Sequence, residues 1–323
     1  MVRNFTFSSV VLIALTLLSV GSLKGQDPQF TQFFANPLYL NPAFAGTAYC
    51  PRVNLNYRNQ WPSIPGSFVT YNASYDQYVR GLKGGVGGYV MSDVAGKGSL
   101  TTNRVALMYS YSQALSRKVS INFALEAAWF QKSVSWDKLT FGDQIDPRRG
   151  FIYTSNDVQR GGNVNKADFS AGMLLYSDVF YFSFSVDHLT QPNESLILSE
   201  SRLPMKFTAA FGASILAGPV NKKNDIVISP NILYQRQGDF QQINIGLYAK
   251  KGPVVFGTWY RFNDAFILLV GLELKNLKVG YSYDLTTSEL STATGGSHEV
   301  SASYRFNCKP KRRRFRTISC PSF

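Results

Sequence analysis

From Val53 to Phe306 the chain alternates between apolar and polar or small side chains with a period of two, in short runs. Val69, Tyr71, Ala73 and Tyr75 interleave with Thr70, Asn72, Ser74 and Asp76; Ile121, Phe123, Leu125, Ala127 and Trp129 interleave with Asn122, Ala124, Glu126 and Ala128. Phe180, Phe182, Phe184 and Val186 follow the same rule, as do Val300, Ala302, Tyr304 and Phe306. A period of two puts one set on each face of a strand. Runs of about 9–11 residues are the length a tilted strand needs to cross a bilayer. The pattern predicts about fourteen strands: near 53–59, 67–78, 84–91, 102–113, 118–130, 167–177, 179–187, 205–217, 225–234, 241–250, 252–260, 264–274, 276–285 and 297–306. The fold class expected is all-β, a transmembrane antiparallel β-barrel. Closure into a ring is how a sheet satisfies every backbone group in hydrocarbon.

The connections alternate too. Val79–Lys83, Ala114–Arg117, Gly218–Asn224 and the links at Asp178, Lys251 and Lys275 are short. Gln60–Gly66, Ser92–Leu100, Gln131–Lys166, His188–Pro204 and Thr286–Gly296 are longer. Short periplasmic turns and long outer loops are the usual barrel asymmetry. The late links Gln235–Phe240 and Arg261–Asn263 are short and depart from it. Basic residues gather at the short links (Arg80, Lys83, Arg117, Lys118, Lys222, Lys223, Lys250, Lys251, Lys275, Lys278), which predicts a positive periplasmic rim.

Composition agrees with a barrel without requiring one. Charged residues are 16% and aromatics 14% of 323 residues. An aromatic-rich secreted β-sandwich would share those totals. Arg3 followed by the apolar run Val10–Val20 reads as a signal peptide over 1–25, cut after Gly25. Residues 26–52 form a polar-aromatic lead segment, with Pro28, Pro37, Pro42 and Pro51 breaking regular structure. It is expected to pack Phe30, Phe33 and Phe34 at or inside the periplasmic mouth. The barrel proper covers 53–306. A basic tail, 307–323, follows the last strand and includes Arg312, Arg313, Arg314 and Arg316. Basic runs bind nucleic acid elsewhere; behind an export signal no nucleic-acid partner is expected, and an anionic envelope partner is. Both termini are placed in the periplasm.

Candidate chemistry is sparse. The longest connection carries Trp136, Phe141 and Phe151, a candidate partner surface that either folds into the barrel or caps it. Asp143 and Asp146 lack calcium-loop spacing, and no metal or cofactor motif is present. The two histidines, His188 and His298, are read as surface residues of outer loops. A barrel enzyme would pair His188 with a serine, but no serine elbow accompanies it. Arg104, Glu126, Asp187, Asp284, Glu299 and Arg305 fall on the lumen face, either paired or lining a pore. Cys50 and Cys308 flank the first and last strands, so a Cys50–Cys308 bridge would close the seam; Cys308–Cys320 is the competing pairing.

The opening QFTQFF, then NP-x-x-x-NPAFAGT, together with TFGDQID in the long connection and SYRFNCKPKRRRFRTISCPSF at the end, resembles the PorP/SprF family. The likeness covers essentially the whole mature chain. It implies an integral outer-membrane barrel of the type IX secretion and gliding machinery. Such a barrel would assist secretion or surface attachment of a cargo such as a gliding adhesin, with secretion components, cargo and outer-membrane lipid as partners. The cysteine-bearing basic tail suggests the SprF-like branch. The family brings no catalytic residues. A general porin or small-solute channel is the alternative.

Overall fold

The computed structural model describes residues 26–146, 148–155, 162–196, 200–217, 226–287 and 295–308. The signal peptide 1–25, Cys320 and the tail arginines Arg312, Arg313, Arg314 and Arg316 lie outside the described residues.

Fourteen antiparallel strands form one closed barrel. They are β1 (Arg52–Gln60), β2 (Phe68–Val79), β3 (Gly84–Ala95), β4 (Leu100–Ala114), β5 (Val119–Val134), β6 (Asn163–Ser177) and β7 (Phe180–Asp187). Next comes β8 (Lys206–Ala213), continued past a break at Ser214 by Ile215–Ala217. Then follow β9 (Ile226–Gln237), β10 (Phe240–Lys251), β11 (Val254–Arg261), β12 (Ala265–Glu273), β13 (Leu277–Thr286) and β14 (Ser297–Arg305). Each strand pairs with its sequence neighbour, and β14 closes on β1 with Arg52 opposite Arg305. Each predicted segment coincides with one observed strand, the ends differing by a few residues.

The alternation sets the two faces. Leu107 and Leu125 point outward and are each 70% exposed, as are Tyr71, Phe123, Phe211, Ile245 and Val270 to lesser degrees. A circumferential apolar surface of this kind is stable only against lipid. Inward positions carry Asn54, Asn56, Arg58, Thr70, Asn72, Ser74 and Asp76, all buried.

We call the end where β1 starts and β14 finishes the proximal mouth, and the other the distal mouth. The described parts of the long connections 135–162, 188–205 and 287–296 are distal. At the proximal mouth Cys50 and Cys308 are joined by a disulfide, Cα–Cα 5.6 Å, beside the β14–β1 seam.

The lumen is filled by the lead segment. Three short helical turns, Phe33–Ala35, Pro37–Leu40 and Pro42–Phe44, fold it into a compact core inside the ring. Pro37 and Pro42 each open a turn, where the missing N–H costs nothing. Leu38 and Ala43 are fully buried, and Phe30, Phe33, Leu40 and Phe44 nearly so. The expectation of a segment at or inside one mouth thus holds for its burial and understates only its depth, since it runs the length of the lumen. Its apolar side chains need a core, and the only one available lies within the wall. The described chain also begins at the distal mouth. Asp27 contacts His188, Lys206 and Gln237, all at distal strand ends. The first and last strands share one mouth, whereas the lead segment starts at the other.

Candidate functional site

The candidate site is the filled lumen, and the lead segment's own polar groups explain how it is seated. Near the distal mouth, Thr31 donates its N–H (2.6 Å) and hydroxyl (2.8 Å) to Glu299 Oε2. Gln32 donates its side-chain amide to the Glu299 carbonyl at 2.9 Å. At mid-height Asn72 donates to Asn36 Oδ1 at 2.8 Å. On the opposite wall the Asn41 amide spans two strands, donating to the carbonyls of Met173 (3.1 Å) and Phe184 (3.0 Å). Its Oδ1 caps the following turn through the Ala43 N–H. Near the proximal mouth Gly46, at φ +75°, donates its N–H to Asp76 at 2.9 Å. Gly46 and Gly85 face each other so closely that a Cβ on either would overlap the other's backbone. Asn36, Asn41 and Gly46 all belong to the NP-x-x-x-NPAFAGT stretch. That motif is therefore a seating motif: each of the three makes a polar contact that ties the lead segment to the wall.

Two buried ionic clusters hold the distal half. Arg58 Nη2 pairs with Asp284 at 3.0 Å, while its Nη1 donates to the Thr31 hydroxyl at 3.0 Å and lies 3.5 Å from Glu299. In the second, Arg104 bridges Glu126 and Asp168, each at 3.1 Å. Asp168 accepts from His188 Nδ1 at 2.7 Å, and His188 Nε2 lies 2.7 Å from Asp27, which also meets Lys206 at 3.2 Å. The expectation of a surface His188 is wrong: it is fully buried. A left-handed φ of 60° just after β7 turns its ring back into the lumen. Burial works against its charge, but Asp27 beside it and the hydrogen bonds to Asp168 and Asp27 prevail, raising its pKa to about 9. With both ring nitrogens held by carboxylates, neither is placed to take a proton from a serine. His298 lies in β14 rather than in a loop, hydrogen-bonded to Tyr281 at 2.8 Å.

Of the charges expected on the lumen face, Arg104, Glu126, Asp187, Asp284 and Glu299 are buried. Arg305 is exposed at the proximal rim, its guanidinium on the Lys275 carbonyl. Asp27, Arg58 and Asp168 complete the two clusters. Inward parity would have pointed to Arg58 and Asp168; nothing local points to Asp27.

Among the candidate partner residues, Phe30 and Phe33 are buried, and Phe34 is half-buried on an aromatic floor of Tyr181, Tyr248 and Trp259. All three are interior packing residues. In the long distal connection Trp136 stacks on Phe141 at 6.4 Å. A two-residue hairpin, Ile145–Asp146 against Gly150–Phe151, leaves Phe151 64% exposed. Asp146 accepts the backbone N–H groups of Arg148 and Arg149, which hold its carboxyl below the usual range. The described part of the connection rests on the β3–β4 turn, Lys138 donating to the Gly98 carbonyl, while the lead segment occupies the lumen.

A strand ring with a lipid-facing belt and a lumen filled by its own leading residues defines an integral outer-membrane barrel. Residues 22–304 match the family described as type IX secretion system membrane protein PorP/SprF, and the chain belongs to that family. Solved barrels of similar fold include the TodX deltaS2S3 mutant monoaromatic hydrocarbon channel (12% identity, 83% of this chain and 94% of that one, TM-score 0.48). The toluene transporter TbuX of Ralstonia pickettii (10%, 84% and 93%, TM-score 0.46) and a KdgM porin (9%, 79% and 99%, TM-score 0.40) are others. No curated protein sequence matches the chain.

Proposed function

We propose that this barrel is a non-enzymatic component of the type IX machinery that assists secretion or surface attachment of a particular cargo, such as a gliding adhesin. In this reading the proximal mouth faces the periplasm. The basic short links and the tail meet the machinery there, and the distal connections, with Phe151 at their tip, meet cargo outside. Family membership across 22–304 supports the setting. The observation that carries the reading is the filled lumen: a wall that holds Thr31, Asn36, Asn41 and Gly46 by hydrogen bonds suits a docking scaffold better than a solute pore. The test is deletion of the gene followed by two measurements. Loss of one adhesin from the cell surface, with the purified barrel silent in a planar bilayer, is the expected result. Steady conductance with normal surface adhesins would favour the porin alternative.

A further inference from the structure

The lead segment does not fill the lumen evenly. Between it and the inner faces of β10–β14 and β1 lies a crevice of ≈180 Å³ that opens at the proximal mouth. The sequence makes this space directly. Gly271 and Gly280 stand opposite each other on β12 and β13, both facing inward; Gln32 and Ser301 close over Gly280, and Gly271 adds no side chain to the crevice wall. Phe34, Phe44, Tyr248, Val255 and Leu269 line the deep part, with Gln32, Asn54, Ser301 and Ser303 beside them. A space of this size holds about one aromatic ring; an engineered apolar cavity of ~150 Å³ binds benzene.

The rim is cationic. Its two acids are already engaged: Asp76 by Arg52 at 2.9 Å and by the Gly46 N–H, and Glu273 by Lys250 and Lys278. Lys275 and Arg305 remain at the entrance, exposed and with no carboxylate partner among the described residues. An aromatic-floored recess under unpaired cations is complementary to one aromatic side chain flanked by carboxylates.

We infer that this crevice is a docking site for a peptide segment of another protein, one that inserts a phenyl-type side chain beside Phe34 and sets adjacent acidic groups against Lys275 and Arg305. The inference rests on the secretion reading only for where the segment comes from; the recognition chemistry belongs to the barrel alone.

The test uses the full chain in detergent and three fluorescent capped pentapeptides: Gly-Asp-Phe-Asp-Gly, Gly-Asp-Ala-Asp-Gly and Gly-Lys-Phe-Lys-Gly. Anisotropy titration is expected to find the first bound about tenfold or more tighter than either other. Leu269→Trp, which fills the recess, should abolish that preference. Lys275→Glu, on an exposed side chain that leaves the fold alone, should weaken the first peptide about threefold and lose its salt dependence. Lys251→Glu, at the same mouth but outside the crevice, should change nothing. Equal affinity for the phenylalanine and alanine peptides overturns the proposal, as does a Leu269→Trp protein that still resists heat in gel mobility and still prefers the first peptide. Such a failure would leave the adhesin phenotype of the deletion strain unaffected, so the two readings fall separately.

Discussion

Asp27 and Asp168 grip His188 from both sides, and this small group has a definite pH signature. The imidazole's pKa is raised from 6.5 to about 9. A raised value means that folding is favoured by proton binding, so the contribution is complete below the unfolded value and fades as pH rises through about 9. His188→Gln should therefore flatten the loss of thermal stability between roughly pH 7 and 9. A labelled-histidine NMR titration, assigned with His188→Gln, should find the His188 ring still protonated at pH 8; a His188 ring titrating near 6.5 would contradict it. Cys50 makes a second residue-scale case. It ties the first strand to the last across a sequence separation of 258 residues. Cys50→Ser should lower stability by about 2–5 kcal/mol, read as an earlier heat-induced mobility shift, and the unreduced wild-type protein should yield a Cys50–Cys308 peptide pair by mass mapping.

At the level of elements, the strands were legible and the depth of the lead segment was not. Period two with outward Tyr, Phe and Leu located fourteen strands because each residue's face is a local property of the pleat. The stretch Phe30–Thr47 has no period. Its phenylalanines and prolines say that it is aromatic and holds no long helix, but not which surface covers it. The seating contacts join Asn41 to Met173 and Phe184, and Thr31 to Glu299, separations no local pattern encodes. His188 was misplaced for a related reason: a loop position is usually outside, and only the left-handed turn after β7 brings it in. The lead segment's role yields a direct expectation. Removing residues 30–46, with Cys50 kept, should convert a silent barrel into one that conducts in a planar bilayer. A milder change, Asn41→Leu, removes the amide that meets two strand carbonyls and caps the Ala43 N–H. It should cost about 1–3 kcal/mol without opening the pore.

For the whole molecule the decisive fact is that Asp27 and Cys308 lie at opposite mouths. If the proximal mouth is periplasmic, a small tag placed just before Gln26 should be labelled by a membrane-impermeant reagent on intact cells. An epitope in 135–162 should behave likewise, whereas a tag after the tail should not. Labelling of the tail alone would reverse the sidedness; labelling of neither end would place the lead segment elsewhere.

This arrangement also constrains how the molecule is made. Residues synthesised first end up encircled by a wall whose last stave, β14, is synthesised at the far end of the chain and supplies Glu299 to Thr31. A chain halted before that stave has nowhere to bury Phe33 and Leu38. The lead segment thus reaches its buried place only together with the last strand. The cysteine link can form only when the circle is complete, so its appearance in a pulse-labelling time course should mark the end of biogenesis.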